Sequence, residues 1–161
     1  MEEETSNHSP PAFNDLSSEA LLSLADSYQV DENYEEAVDA YAAAICLFRD
    51  SEVDLQIRAL SHRSAAFYKL KRYNEAFEDA QKSLEILSTK KPSGLRAGEG
   101  ELCHCRAGLA AFELKRFREA KDALHVAAQL ASLNERLRNQ DLSSNLIQEC
   151  DAKLKLPQAP A

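Results

Sequence analysis

Tyr28-Gln29-Val30-Asp31-Glu32-Asn33-Tyr34-Glu35-Glu36-Ala37 is the stretch on which the fold turns. It links two apolar helical stripes through a polar turn, and its spacing recurs. Tyr28 precedes Ala37 by nine residues, as Phe67 precedes Ala76 and Ala111 precedes Ala120. An aromatic ring stands three residues before each alanine, at Tyr34, Tyr73 and Phe117. One helix–turn–helix unit is therefore written three times, which implies a stack of similar units and a binding scaffold rather than a single layered core.

Working outward, polar residues from Asp15 to Ser18 precede Glu19-Ala20-Leu21-Leu22-Ser23-Leu24-Ala25, where apolar residues recur at three and four, so a first helix is predicted to about Val30. A second carries Ala37, Tyr41, Ala44, Ile45 and Phe48 on one stripe. The pair recurs as about Asp54 to Leu70 with Asn74 to Leu87, and as Glu101 to Leu114 with Arg118 to Leu133. Glycine collects in Ser88–Gly100, which reads as the longest loop of the core. The predicted units span residues 18–50, 54–88 and 99–133, and a final amphipathic segment, 140–155, has no partner helix and reads as the cap of an open stack. Residues 1–14, with Pro10-Pro11, are expected to be a disordered tail, and 156–161 a linker or unstructured end.

Composition narrows the function. The chain has 161 residues with four glycines and five prolines, so it is long enough for one mostly helical domain. A net charge of −8 disfavours a nucleic-acid backbone as partner. No segment reads as a membrane span, and the acidic start Met1-Glu2-Glu3-Glu4 does not read as a secretory leader. A cytoplasmic or nuclear setting is expected, with Cys46, Cys103, Cys105 and Cys150 reduced.

The repeats resemble the tetratricopeptide family. Leu21-x-x-Leu24-Ala25-x-x-Tyr28 and Ala37-x-x-x-Tyr41 match its pattern well; Leu60, Ser64, Phe67, Ala76 and Ala80 match more loosely, and the third unit keeps Gly108 and Ala120 but has His104 and Ala111 where large residues are usual. Successive alanines lie 39 and 44 residues apart, against about 34 in the family. The resemblance covers about Leu16 to Leu154. It implies an all-α fold, a right-handed superhelical stack of three helix pairs plus a C-terminal capping helix, with binding in the groove lined by the first helix of each pair.

Projected onto this chain, the family's groove positions include Leu22, Asp26, Arg58, His62, Tyr68, Lys69, Arg106, Leu109 and Phe112. Some members clamp the C-terminal carboxylate of heat-shock chaperones with lysine, asparagine and arginine at five inward positions of the groove. Here the five are Leu22, Asp26, His62, Leu102 and Arg106; only Arg106 matches, and Asp26 would repel the incoming carboxylate. An altered clamp is one alternative reading, and an oligomerisation module that uses the outer or capping helices is another. The terminal pattern Leu142-x-x-x-Leu146-Ile147-Gln148-Glu149-Cys150-Asp151 resembles the co-chaperone family called suppressor of the G-two allele of Skp. That resemblance implies an N-terminal interaction module that binds a Skp-type ubiquitin-ligase adaptor and self-associates as a homodimer in some members.

No catalysis, cofactor or metal is expected. Cys103-His104-Cys105 looks like a metal fragment, but residues two apart on a helix point about 200° apart, and no second ligand pair follows. Nothing in the sequence sets His62 or His125 beside a thiol. Arg106 and His62 either receive an acidic group together, or Arg106 pairs with a neighbour such as Glu101 or Glu113. Tyr68 and Phe112 serve either as partner anchors or in packing between units. The basic clusters Lys69–Arg72 and Lys115–Arg118 are expected to act locally at helix ends, the alternative being a basic rim that meets an acidic partner.

Overall fold

The computed structural model describes residues 13–95, 98–133 and 137–155. The tail expected over 1–14 falls outside them up to residue 12, as does the end segment 156–161. A short 3-10 turn, Phe13–Asp15, leads into α1 (Ser18–Val30), α2 (Tyr34–Leu47), α3 (Val53–Lys69), α4 (Tyr73–Lys90), α5 (Glu99–Glu113), α6 (Phe117–Leu133) and α7 (Leu137–Lys155). Among the described residues there is no strand. Each helix packs on the next in the chain, and α3 also touches α1 and α5. The first helices of the three pairs thus form a continuous inner layer, with α7 closing the stack against α6.

The nine-residue step has a physical cause. At each turn an amide reaches back five residues to a helical carbonyl: Asn33 to Tyr28 at 2.8 Å, Arg72 to Phe67 at 2.9 Å and Arg116 to Ala111 at 2.9 Å. This closure needs one left-handed residue, and Glu32, Lys71 and Lys115 each take φ 61°. None of them is glycine, so the turn is held against a local backbone cost by the packing of the pair it joins. Ser17 caps α1, its hydroxyl accepting from the Ala20 amide at 3.2 Å.

Small residues set how closely paired helices approach. Ala25, Ala37, Ala76 and Ala120 have no exposed surface, and Ser64 has 1%. The Ser64 hydroxyl donates to the Ala76 carbonyl at 2.6 Å, so its polar atom is satisfied at a crossing with no room for a larger side chain. At Gly108 a Cβ would lie 2.6 Å from Leu124 Cγ and 3.3 Å from the Ala120 carbonyl oxygen. Gly108 is therefore a packing requirement within α5, since its backbone has ordinary helical geometry.

The helix ends differ from the sequence reading in places. α4 continues to Lys90, three residues beyond Leu87, because the Ser88 and Thr89 hydroxyls donate to the Glu85 carbonyl at 2.9 and 2.8 Å and remain compatible with the helix. It ends at Lys91, which is left-handed at φ 43°. α5 begins at Glu99, after Gly98 at φ 90°, so the connection is shorter than Ser88–Gly100. α7 starts at Leu137, ahead of the expected 140. The long spacing between alanines is taken up by the 17 residues of α3, the 18 of α4 and the two connections.

Two residues of the basic turns, Arg72 and Arg116, make contacts both within their own helix start and to the preceding unit. Arg72 pairs with Glu75 and reaches Glu35 at 3.5 Å, and its guanidinium lies 4.6 Å from the Phe67 ring centroid. Arg116 pairs with Glu119 at 2.8 Å and lies 4.3 Å over Phe77 of the preceding unit.

Gly108→Ala tests the close approach. Helix propensity would favour alanine by about 1 kcal/mol, while overpacking against Leu124 costs about 1–3 kcal/mol. The expected net result is a loss of about 1 kcal/mol in urea unfolding, and a gain in stability would contradict the close crossing.

Candidate functional site

Built from the inner layer, the site has a locked half and an open half. In the locked half, Asp26 of α1 is the hub. It accepts from Arg58 of α3 in a short contact and from Tyr41 of α2 at 2.6 Å, and His62 Nδ1 of α3 lies 2.9 Å away. The Gln29 amide stands 2.9 Å from the same tyrosine oxygen. Three helices are thus tied at one carboxylate that is 25% exposed. Burial acts to raise the Asp26 pKa, but hydrogen bonds from His62 and Tyr41, with the charges of His62 and Arg58, outweigh it and hold the group down at about 2. Burial first, then the bond to Asp26, pushes the Tyr41 hydroxyl well above the ordinary phenol range. It therefore serves as a neutral donor.

Further along the layer, Arg106 of α5 donates to the Ser61 hydroxyl of α3, and burial lowers its pKa. The Tyr68 hydroxyl donates to Glu113 at 3.1 Å, bridging α3 and α5; burial and that carboxylate raise the phenol to about 12. On the side facing α4, Arg63 holds the buried Asp79 with two bonds, at 2.6 and 2.8 Å.

The open half is a cavity of 280 Å³ between α3 and α5, lined by Ala65, Tyr68, Lys69, Leu102, Cys105 and Leu109, with Arg106 at its side. Its wall is mostly apolar, with Ser64, Lys69, Arg106 and the Tyr68 hydroxyl as its polar groups. This is the character of a site that takes one apolar group with a polar neighbour.

The residues singled out in the sequence divide accordingly. Tyr68, Lys69, Arg106 and Leu109 are brought together at the cavity. Asp26, Arg58 and His62 also come together, but around one another. Leu22 is 3% exposed and belongs to the hydrophobic core, so it offers no groove surface. Phe112 packs edge-on against Phe117, ring centroids 5.6 Å apart, as well as against the core. Arg106 meets a serine of the neighbouring unit, a contact that sequence spacing does not signal. Tyr41 was legible as a core aromatic, but its hydroxyl's reach to Asp26 was not.

Cys103, Cys105 and Cys150 show no nucleophilic setting. Cys103 and Cys105 are buried, and burial raises the pKa of Cys105. Burial also raises that of Cys150, with Asp151 and Glu149 adding to the effect. His104 is pushed down by burial and lies with Gln81, Leu84 and Ser88 on the α4 side. Among the described residues no group of three His, Cys, Asp or Glu side chains could hold a metal ion.

Two solved domains share this architecture. The chain superposes on the Arabidopsis OM64 TPR domain with a TM-score of 0.65 and 22% identity, covering 83% of this chain and 95% of that one. The fold is that of a tetratricopeptide-repeat domain. The Sgt2 TPR domain from Aspergillus fumigatus gives a TM-score of 0.61 at 20% identity, covering 89% and 87%. In sequence, this repeat domain is 31% identical over 134 residues to dynein axonemal assembly factor 4 of Rattus norvegicus, covering 80% of this chain and 30% of that protein. It is 30% identical over 143 residues to protein SGT1 homolog of Oryza sativa subsp. japonica, covering 89% and 32%. The chain spans about a third of the length of these curated relatives. No protein-family model matches it. No helix among the described residues is long and apolar enough to cross a membrane.

The Asp26 cluster makes acid stability a test of its strength. A lowered folded pKa contributes stability above the unfolded value of 3.8, which is lost as pH falls from there through about 2. A shift of this size corresponds to at most about 2 kcal/mol. Urea unfolding at about pH 5 and about pH 2 should therefore show Asp26→Asn losing about 2 kcal/mol less than the parent across that interval; equal losses would mean that Asp26 is not held as described.

Proposed function

We propose that this chain is a non-catalytic protein-interaction module that holds a partner segment in the groove between α1, α3 and α5, with the α3–α5 cavity taking an apolar anchor of the partner. The observation that carries this reading is the division of the groove itself. Asp26, Arg58, His62 and Arg106 are already engaged by protein groups, while the cavity at Tyr68, Lys69 and Leu109 is open and lined by apolar surface. Binding there gains free energy from burying an apolar group without breaking a formed ion pair.

The same division disfavours an altered carboxylate clamp. A chaperone tail would have to displace Asp26 from its cations or draw Arg106 from Ser61, and each exchange gives up a charge-assisted bond already made. Of the partners considered from the sequence, a Skp-type ubiquitin-ligase adaptor is the one we favour. Its support is the 30% identity with the SGT1 homolog, a member of the family that the terminal helix resembles. Under this reading the module acts as a co-chaperone or adaptor in the cytoplasm or nucleus.

Leu109→Arg and Lys69→Glu are the variants to compare. By calorimetry against a purified Skp-type adaptor, Leu109→Arg should weaken binding at least about tenfold, the order expected for loss of a central anchor. Lys69→Glu should weaken it less and reduce its salt dependence. Parent-level affinity in Leu109→Arg would remove the cavity from the interface, and tighter binding of an acidic C-terminal chaperone peptide than of the adaptor would favour the clamp.

A further inference from the structure

A second cavity, of 110 Å³, lies at the other end of the α3–α5 seam, lined by Asp54, Leu55, Arg58, Gly94, Leu95 and Glu99. Three of its residues bring polar atoms that are buried and unpartnered: Asp54 Oδ1, Glu99 Oε2 and Arg58 Nε. Glu99 is 8% exposed, so its free oxygen has little access to bulk water. Desolvating such atoms without a partner is costly, so a group that satisfies them gains what folding left unmade. The opposite face of Arg58 is occupied, its terminal nitrogen being on Asp26.

The inventory of unpartnered atoms defines the ligand. Two are acceptors on carboxylates, and one is an N–H donor. A primary carboxamide carries the complement, two N–H donors and one carbonyl acceptor. An ammonium group would supply the donors and meet the two carboxylates but, having no acceptor, would leave Arg58 Nε unpaired. A carboxylate would meet two like charges. Gly94 shapes the same wall by its lack of a side chain, since a Cβ there would lie 2.1 Å from Asp54 Oδ2.

We infer that this cavity is a carboxamide-binding subsite that takes the side chain of an asparagine or glutamine from the segment bound in the groove. The inference rests on the groove reading above. Arg58 and Ala65, which mark the two cavities on α3, are seven residues apart, about 10 Å along a helix, and an extended chain covers that distance in about three residues. The partner segment would thus carry its amide residue about three positions from its apolar anchor.

Propionamide is the direct probe, read by amide chemical shifts in the intact chain with methylammonium at matched ionic strength as the competing chemistry. Saturable shifts at Gly94, Leu95 and Glu99 with propionamide, weakened at least about fivefold in Glu99→Gln, are expected, since that isosteric change turns an acceptor face partly into a donor. Asp54→Asn supplies the second variant. Stronger saturation with methylammonium would overturn the carboxamide assignment, as would shifts that grow without saturating or that are unchanged in both variants. Because the probe needs no partner protein, this result is separate from the Leu109 experiment. Failure here with Leu109→Arg still abolishing adaptor binding would remove the subsite and leave the groove.

Discussion

The structure depends on how closely two helices of a pair can approach. At Ser64 against Ala76 and Gly108 against Ala120 the distances leave no room for a longer side chain, and the buried Ala25 and Ala37 hold the corresponding places in the first unit. Close approach brings Tyr41 deep enough to have no exposed surface while its hydroxyl reaches Asp26 on the partner helix. That reach in turn sets Asp26 between α1 and α3, where Arg58 and His62 can meet it. The polar joint between the first two units is therefore a consequence of small residues elsewhere in the unit.

From that joint follows the character of the groove. Charged residues on an inner face are usually read as ligands for a charged partner, and here most of them bind one another. Asp26 is held ionised to about pH 2 by its donors, and Arg106 is spent on a hydroxyl. The geometry leaves apolar surface beside Tyr68 and Leu109 at one end and unpartnered polar atoms beside Glu99 at the other. A segment held in such a groove is selected by shape and by neutral hydrogen bonds more than by net charge.

Much of the fold was legible because it rests on local rules. The nine-residue step encodes the hydrogen bonds that close the turns at Asn33, Arg72 and Arg116, and the apolar stripes encode the packing of each helix on the next. The α4 end was misplaced because Ser88 and Thr89 read as loop residues, while their hydroxyls bond back into the helix. Less of the site was legible. Spacing places Leu22 on an inner face but does not say that the core covers it, and no local pattern announces that Arg58 reaches across 32 residues to Asp26. Such pairings depend on unit-to-unit rotation, which in turn depends on connection lengths that this chain does not share with the usual repeat.

The most direct measurement is amide hydrogen exchange of the chain alone and saturated with a Skp-type adaptor, resolved helix by helix. Added protection is expected along α3 and α5, concentrated around Tyr68 and Leu109, with α4 and α6 unchanged. Protection confined to α2, α4, α6 or α7 would place the partner on the outer face and rule out the groove as the binding surface.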